Sequence, residues 1–369
     1  MNRRALLGAA ATAAPAALAI ATPALAQPAV ANSTPDIRWR LTSSFPRNLD
    51  ILWGAPEGIA RRVAQLTDNK FQIRCFPAGE IVGAAQALDA VQAGTVEAAH
   101  TAPYYYTGKD FSFAFFTAVP FGLNTRMQNS WYRHGGGKEL AAELFKGYNI
   151  VNFPAGDTGA QMGGWFRKEV KSLADIQGLK FRIAGLAGEV FARMGAVPTQ
   201  IAAADIYPAL ERGSIDAVEF VGPHDDEKLG LNRVAPYYYF PGFWEPGARL
   251  HFMANQAAFD ALPASYKAAL EVACAECDLD MTARYDASNP LALRRLVGAG
   301  TQLRPWPREV MAAAWKATND LYAETSAKNP MFKKIWDSYG KFRDDQFQWF
   351  RVAENSFDNF AFTAAQTVR

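Results

Sequence analysis

Short stretches with strand character, separated by segments of helical spacing, organise the first third of the chain. Ile37-Arg38-Trp39-Arg40-Leu41-Thr42 is predicted as a strand, and Pro56 to Leu66 as a helix with Glu57 near its positive end. Phe71-Gln72-Ile73-Arg74-Cys75-Phe76 alternates as a second strand, Glu80 to Gln92 reads as a helix, and Glu97-Ala98-Ala99-His100-Thr101 as a third strand. A β-α-β-α-β series predicts a mostly parallel sheet with covering helices, whose ligands gather at strand ends. Tyr104-Tyr105-Tyr106-Thr107-Gly108 therefore falls where a binding wall is expected. A second series starts near Ile150-Val151-Asn152-Phe153 and returns near Arg249-Leu250-His251-Phe252-Met253, so the chain crosses between units and predicts an α/β fold of two lobes with a cleft between them. Beyond Pro263 helical patterns prevail. Phe332, Trp336 and Tyr339, then Phe350, Ala353, Phe357 and Phe360, recur at helical spacing. Such a face must be covered, either by the protein's own lobes or by helix exchange in a dimer.

Residues 156–223 carry the chemistry. Lys180-Phe181-Arg182-Ile183 reads as a short buried strand that delivers Arg182 beside Gly185, and Asp216 to Val221 as a nearly all-apolar strand with Glu219 in its middle. A buried guanidinium or carboxylate is costly without a partner. The two charges can pair with each other, or Arg182 can meet an anionic ligand. Gln161 precedes Met162-Gly163-Gly164-Trp165-Phe166, a predicted strand whose paired glycines admit a close approach by backbone or ligand.

Composition narrows the class. Arg3 and Arg4, an alanine-rich apolar run from Ala5 to Ile20, and Ala24-Leu25-Ala26 form an export signal over residues 1–26; the adjacent arginines suggest the twin-arginine route, with ordinary secretion as the alternative. The chain beyond the signal is about 340 residues long, enough for two domains. A formal charge of +2 leaves no footprint for nucleic acid. Cys75, Cys274 and Cys277 are too few for a disulfide framework, and Cys274 and Cys277 fall on a predicted helix, Ala268 to Leu279, where their spacing suits neither a relaxed disulfide nor a lone zinc site. His100 is expected to be a core histidine rather than a ligand.

Together these runs, with Ser43-Ser44-Phe45-Pro46, residues 118–126 (A-V-P-F-G-L-N-T-R) and Phe240-Pro241-Gly242-Phe243-Trp244, resemble in order the solute-binding subunit of tripartite ATP-independent periplasmic (TRAP) transporters. The nearest branch binds small 2-oxo or 2-hydroxy monocarboxylates through a metal ion. The resemblance implies a two-lobed periplasmic fold with a long C-terminal helix. Its expected parts are lobe I over 38–158 and 249–288, lobe II over 159–248 and 289–330, and a helical segment over 331–366. It also implies delivery of the ligand to a membrane permease. Arg182 would hold the ligand carboxylate in its planar fork. Gln161, Glu219 and the main-chain carbonyl of Phe220 would surround the metal, with Gln161, Glu245, Tyr104 and Phe220 against the ligand. All the donors are oxygens, which suits Na⁺ or Ca²⁺ rather than zinc or copper. Many relatives carry tryptophan where this chain has Phe220, and Asp157 stands where a neutral amide is expected. Phe45, Tyr104, Tyr105, Phe220, Phe243 and Trp244 are candidate cleft walls.

Two alternatives compete with this reading. A C4-dicarboxylate ligand would need a second cationic clamp, for which Arg126, Arg167 and Arg249 are candidates. A metal-dependent lyase or hydrolase is disfavoured because no G-x-S-x-G, P-loop or H-E-x-x-H motif is present. His224-Asp225-Asp226-Glu227 resembles a metal-hydrolase cluster only superficially, and is read as a solvated turn or helix start.

Overall fold

The computed structural model describes residues 34–367, so the export signal predicted over 1–26 lies outside them. Among the described residues no helix is long and apolar enough to cross a membrane.

The first strand, β1 (Ile37–Ser43), is followed by α1 (Asp50–Leu66), β2 (Phe71–Phe76), α2 (Ala87–Gln92) and β3 (Ala98–Thr101). Two predicted helix boundaries move. α1 begins six residues before Pro56, which is accommodated inside it, with Asp50 rather than Glu57 as the acidic residue of the first turn. The segment predicted as helix from Glu80 is a turn up to Gly83 and a short 3₁₀ turn before α2, because Gly79 takes φ +87 and Gly83 is extended. Pro103–Tyr106 forms a 3₁₀ turn directly after β3, which fixes the tyrosine run at a strand end. Then come α3 (Thr125–His134), α4 (Gly137–Lys146) and β4 (Ile150–Asp157).

The chain next builds a second sheet from β5 (Gly164–Phe166), β6 (Lys180–Arg182), α5 (Gly185–Arg193), β7 (Val197–Thr199), α6 (Ala203–Glu211), β8 (Ala217–Val218), α7 (Pro223–Lys228) and β9 (Tyr237–Phe240). It returns through β10 (Arg249–Asn255) and α8 (Gln256–Asp260) to the 35-residue α9 (Ala264–Gly298), then β11 (Gln302–Pro305), α10 (Arg308–Lys328) and α11 (Pro330–Thr367).

The sheets are ordered β2-β1-β3-β10-β4 and β11-β9-β5-β8-β6-β7. The first is parallel across β2, β1 and β3, but β10 runs antiparallel to both β3 and β4, so the predicted parallel series ends where the chain comes back from the other lobe. The predicted strand from Asp216 to Val221 shrinks to Ala217–Val218. Gly164, at φ +90, sits where any Cβ would meet the Val218 carbonyl oxygen at 2.5 Å, and the β5–β8 ladder closes at Trp165 and Val218. Glu219 to Val221 therefore leaves the sheet towards the cleft, still tied by Glu219 N–H to the Arg182 carbonyl (3.0 Å). The glycine pair thus admits the chain's own atoms: the second potential clash, at Gly163, is with the Trp306 indole.

Two crossing segments run side by side between the sheets. Thr158 N–H donates to the Ala248 carbonyl (3.0 Å) and Gln161 N–H to the Glu245 carbonyl (3.0 Å). The third connection is α9, packed on α1 and β4 of one lobe and on α7 of the other.

Candidate ligand and metal site

Arg182 ends β6 and Glu219 follows β8, its neighbour in the sheet, so a parallel register brings the two charges together. Arg182 Nη1 donates to Glu219 Oε1 at 2.7 Å and also to the Glu219 main-chain oxygen; Nε donates to the Ile201 carbonyl at 3.3 Å. Both side chains are buried, at 3% and 0% exposure. The pairing that competes with ligand binding is thus present, yet it leaves part of the fork free. Arg182 Nη2 donates to no protein acceptor among the described residues. The Arg182 side chain lines a cavity of about 200 Å³, whose walls include Phe45, Tyr105 and Gln86 from one lobe and Gln200 and Ile201 from the other. Nothing in the sequence pattern marks Gln86 or Gln200, because both stand in exposed turns with no period of their own.

The glutamates are crowded. Ala184 N–H (3.3 Å) donates to Glu219 Oε1 and the Trp244 indole N–H (3.5 Å) to Oε2. Glu245 is 1% exposed, and neither carboxylate oxygen has a hydrogen bond of good geometry, although the Tyr104 hydroxyl and the Glu219 carboxyl stand beside it; Gln161 Oε1 is likewise unpartnered, while its amide Nε2 donates to Thr158 Oγ1 at 3.0 Å. Burial, and next to it the charge of Glu219, pushes the Glu245 carboxyl well above the usual range; burial also raises Glu219, against the pull of Arg182. Orphaned buried oxygens of this kind are costly unless a proton or a cation meets them. The set contains only hard oxygen donors, which fits Na⁺ or Ca²⁺.

Aromatic side chains crowd around the Arg182–Glu219 pair. The Phe220 ring lies 5.5 Å from the Arg182 guanidinium carbon, so the residue that replaces tryptophan packs on the arginine. Tyr104 stacks on Tyr105 (5.0 Å) and reaches across to α5, where a Cβ on Gly185 would lie 2.6 Å from its ring. Phe45, Tyr104, Phe220, Phe243 and Trp244 are all buried. Phe243 is stacked on Phe121 at 4.8 Å, and like Tyr104, Phe220 and Trp244 it lies in the core and does not line the cavity, so of the predicted wall residues only Phe45 and Tyr105 do.

Other candidates fall elsewhere. Arg249 and Asp157 face each other across β10 and β4, 3.6 Å apart and fully buried, with Asp278 on the other side of the guanidinium at 3.6 Å. Asp157 also accepts from the Thr125 hydroxyl (2.7 Å) and Gly159 N–H (2.9 Å). Both residues serve the base of the crossing segments and are no part of the Arg182–Glu219 constellation. Arg126 pairs with Glu354, and neither it nor Arg167 lines the cavity beside Arg182. His100 is buried, with Nε2 on the Ala155 carbonyl at 2.8 Å, and burial lowers it to about 4, as a core histidine. The three cysteines are free.

The reading of residues 224–227 as a solvated turn or helix start is corrected in one respect. They do form α7, but Asp225 and Asp226 point inward: Asp226 accepts from the Trp165 indole (2.9 Å) and the Tyr238 hydroxyl (2.7 Å), and Asp225 from the Tyr285 hydroxyl (2.5 Å). Trp165 and Tyr238 come from neighbouring strands of the second sheet, so the sequence of α7 alone gives no sign of them. Asp50, His224 and Asp225 form a group close enough to hold a metal ion. The Lys228 ammonium already occupies it, in contact with Asp50 Oδ1 and 3.1 Å from His224 Nε2.

Burial raises Asp225 to about 7 and Asp157 and Asp226 to about 6. Groups raised on folding contribute stability that is fully present below the unfolded carboxylate value, near 3.9, and is lost as pH rises through their folded values. Thermal melts are expected to show that part of the stability declining between about pH 4 and pH 7. Asp225→Asn should flatten the decline, by on the order of a few kcal/mol at most; a decline equally steep in the variant would contradict the assignment.

The fold and the site define a two-lobed binding protein, and the chain belongs to the bacterial extracellular solute-binding proteins of family 7, whose pattern it matches over residues 44–329. It is a TRAP transporter solute-binding protein, a transport component and not an enzyme. A monocarboxylate 2-oxoacid-binding periplasmic protein of Nostoc is 47% identical over 352 residues, covering 94% of this chain and 96% of that protein. A TRAP solute-binding protein from Bordetella bronchiseptica is 50% identical, with a TM-score of 0.90 over 91% of this chain and 100% of its own; it was solved as a mixed-occupancy dimer, with copurified calcium and picolinate in one active site and the other site apo. Another from Pseudoalteromonas atlantica, with sodium and pyruvate bound, is 40% identical with a TM-score of 0.85, over 87% of this chain and 98% of its own.

Proposed function

We propose that this protein captures a small 2-oxo or 2-hydroxy monocarboxylate between its lobes and delivers it to the membrane permease of a TRAP transporter. The observation that carries the reading is the pairing of a partly free, buried Arg182 fork with orphaned oxygens on Glu245 and Gln161. The fork receives the ligand carboxylate. Gln161, Glu219 and the Phe220 carbonyl would hold the metal ion, which neutralises the glutamates and supplies a Lewis-acidic point for the ligand's second donor. Glu245, Tyr104 and Phe220 close around the ligand.

Pyruvate and picolinate, bound by the relatives, share one feature: a carboxylate with a lone-pair donor at the adjacent carbon. With both glutamates ionised, the ligand bound and Arg182 charged, the site carries an excess of two negative charges, which suits Ca²⁺. If Glu245 keeps its proton the excess is one, which suits Na⁺. The dicarboxylate alternative loses its support, since Arg182 is the only charged residue among the described ones that line the cavity.

Because ligand and cation complete the same site, each should tighten the other by the same factor. Dialysis against chelator in sodium-free buffer is expected to weaken binding strongly, with recovery on adding back Ca²⁺ or Na⁺. Affinity indifferent to both ions would remove Gln161 and Glu219 from the metal role. Mass spectrometry of ligand released on denaturation identifies the acid and should find it unconverted.

We also propose that the predicted lobe boundaries hold, that residues 1–26 direct export to the periplasm by the twin-arginine route, and that a second copy covers the end of α11. Phe332 and Tyr339 are buried in their own chain, whereas Phe357, Phe360 and Phe362 are 68%, 75% and 66% exposed.

A further inference from the structure

α1 and α7 belong to different lobes: α1 packs on β1 and β2, and α7 continues the segment that carries Glu219 and Phe220. Asp50, the first residue of α1, touches α7 directly. Its Oδ1 receives the Lys228 ammonium and lies 3.0 Å from His224 Nε2, while Arg284 of α9 donates to its main-chain oxygen at 3.4 Å and approaches Oδ2 at 3.9 Å. α7 is itself held on α9 by His224 N–H to Asn289 Oδ1 (3.0 Å), by the Tyr285 hydroxyl to Asp225, and by Arg295 to Glu227. Lys228 and His224, against the upward push of burial, hold Asp50 at about 2, so it is ionised throughout the physiological range.

We propose that Asp50 with Lys228 and His224 is an ionic latch between the lobes, which holds the closed, liganded form and so sets the residence time of the ligand. The proposal rests on the reading that the ligand is bound between the lobes. Geometry gives the reason. Only three residues separate Phe220 from His224, so a movement that opens the cleft at Glu219 and Phe220 carries α7 with it and draws Lys228 away from Asp50. The side chains of Asp50, Lys228 and His224 are partly exposed, at 53%, 31% and 15%, so water can solvate them on opening. Exposed pairs of this type are individually weak, so the latch tunes the release rate rather than deciding whether binding occurs. It should also be sensitive to salt.

The test is stopped-flow release of pyruvate in the presence of Ca²⁺, with Asp50→Asn and Lys228→Gln. At low ionic strength each variant should release pyruvate about three- to tenfold faster, with little change in the association rate. The double variant should be no faster than the quicker single one, and the differences should shrink in about 0.5 M salt, where screening sets in within about 4 Å. Release rates equal to wild type in both single variants, or fully additive effects, would overturn the latch. If Asp50→Asn fails to fold, Lys228→Gln alone carries the test. Failure of the wild type to bind pyruvate would count against the proposed function and not against the latch. The same release comparison is then made with the acid that mass spectrometry finds on the purified protein, and equal release rates in wild type and both single variants would refute the latch.

Discussion

Pyruvate or lactate is expected to bind on the order of 10⁴-fold more tightly than propionate, because a buried site built for a polar group rejects the analogue that lacks it. The carboxylate and the C2 oxygen of a 2-oxo or 2-hydroxy acid can together chelate one cation in a five-membered ring. Propionate has no second donor and leaves a coordination position empty inside a closed cleft. The surroundings give no substitute: Glu245 and Gln161 already present unpaired oxygens that need a cation rather than a further acceptor. A thermal-shift panel of pyruvate, lactate, propionate, succinate and an aromatic 2-hydroxy acid reads the order directly, since a ligand selective for the folded state raises its stability. Stabilisation by propionate or succinate equal to that by pyruvate and lactate would refute the chelation argument. Between the oxo and hydroxy forms the preference should be small. Were Glu245 ionised and directed at C2, it would accept a hydrogen bond from a hydroxyl and repel a ketone oxygen, favouring the hydroxy acid; with its carboxyl raised by burial and by Glu219 it keeps its proton more readily, and a protonated Glu245 can donate to either oxygen.

Arg182→Ala is expected to cost about 3 kcal/mol or more of ligand binding, roughly a hundredfold. The residue meets both the ligand and Glu219, so its removal leaves the ligand carboxylate without a counter-charge and strips Glu219 Oε1 of its 2.7 Å donor in a fully buried setting. Arg182→Lys should recover only part of the loss, because a point charge cannot hold two parallel hydrogen bonds as the planar fork does. Titration calorimetry giving wild-type affinity for Arg182→Ala would remove it from the site. The substitution also tests the division of labour within the pair. If Glu219 were held by Arg182 for stability alone, the variant would melt early but bind normally.

Much of this is legible in the sequence, and the reason is local. β1, β2, β3, β4 and β10 announce themselves because their side-chain alternation or apolar runs are imposed by burial of each strand in one sheet, and Arg182 and Glu219 stand out because an ion in an apolar run must be answered by something. Helix starts are less legible: Pro56 signals a beginning but is accommodated in the second turn of α1, and the residues before α2 carry helical composition that two glycines break.

Which charges answer which is decided only by the tertiary structure. Asp157, which stands where a neutral amide is expected, and Arg249, read from the sequence as a possible second clamp, are register partners on β4 and β10 and neutralise each other away from the cleft. Asp225 and Asp226 sit in a polar helix start that looks solvated, yet Trp165, Tyr238 and Tyr285, between 12 and 61 residues away in sequence, bury them and supply their donors. α11 shows the same limit: one helical pattern runs along it, but Tyr339 is packed against Phe115 and Trp131 while Phe360 faces outward. Side-chain periodicity is a property of the neighbouring few residues and fixes which face must be covered. The partner that covers it comes from distant chain, and is set by how the two sheets, their crossing segments and α9 are brought together.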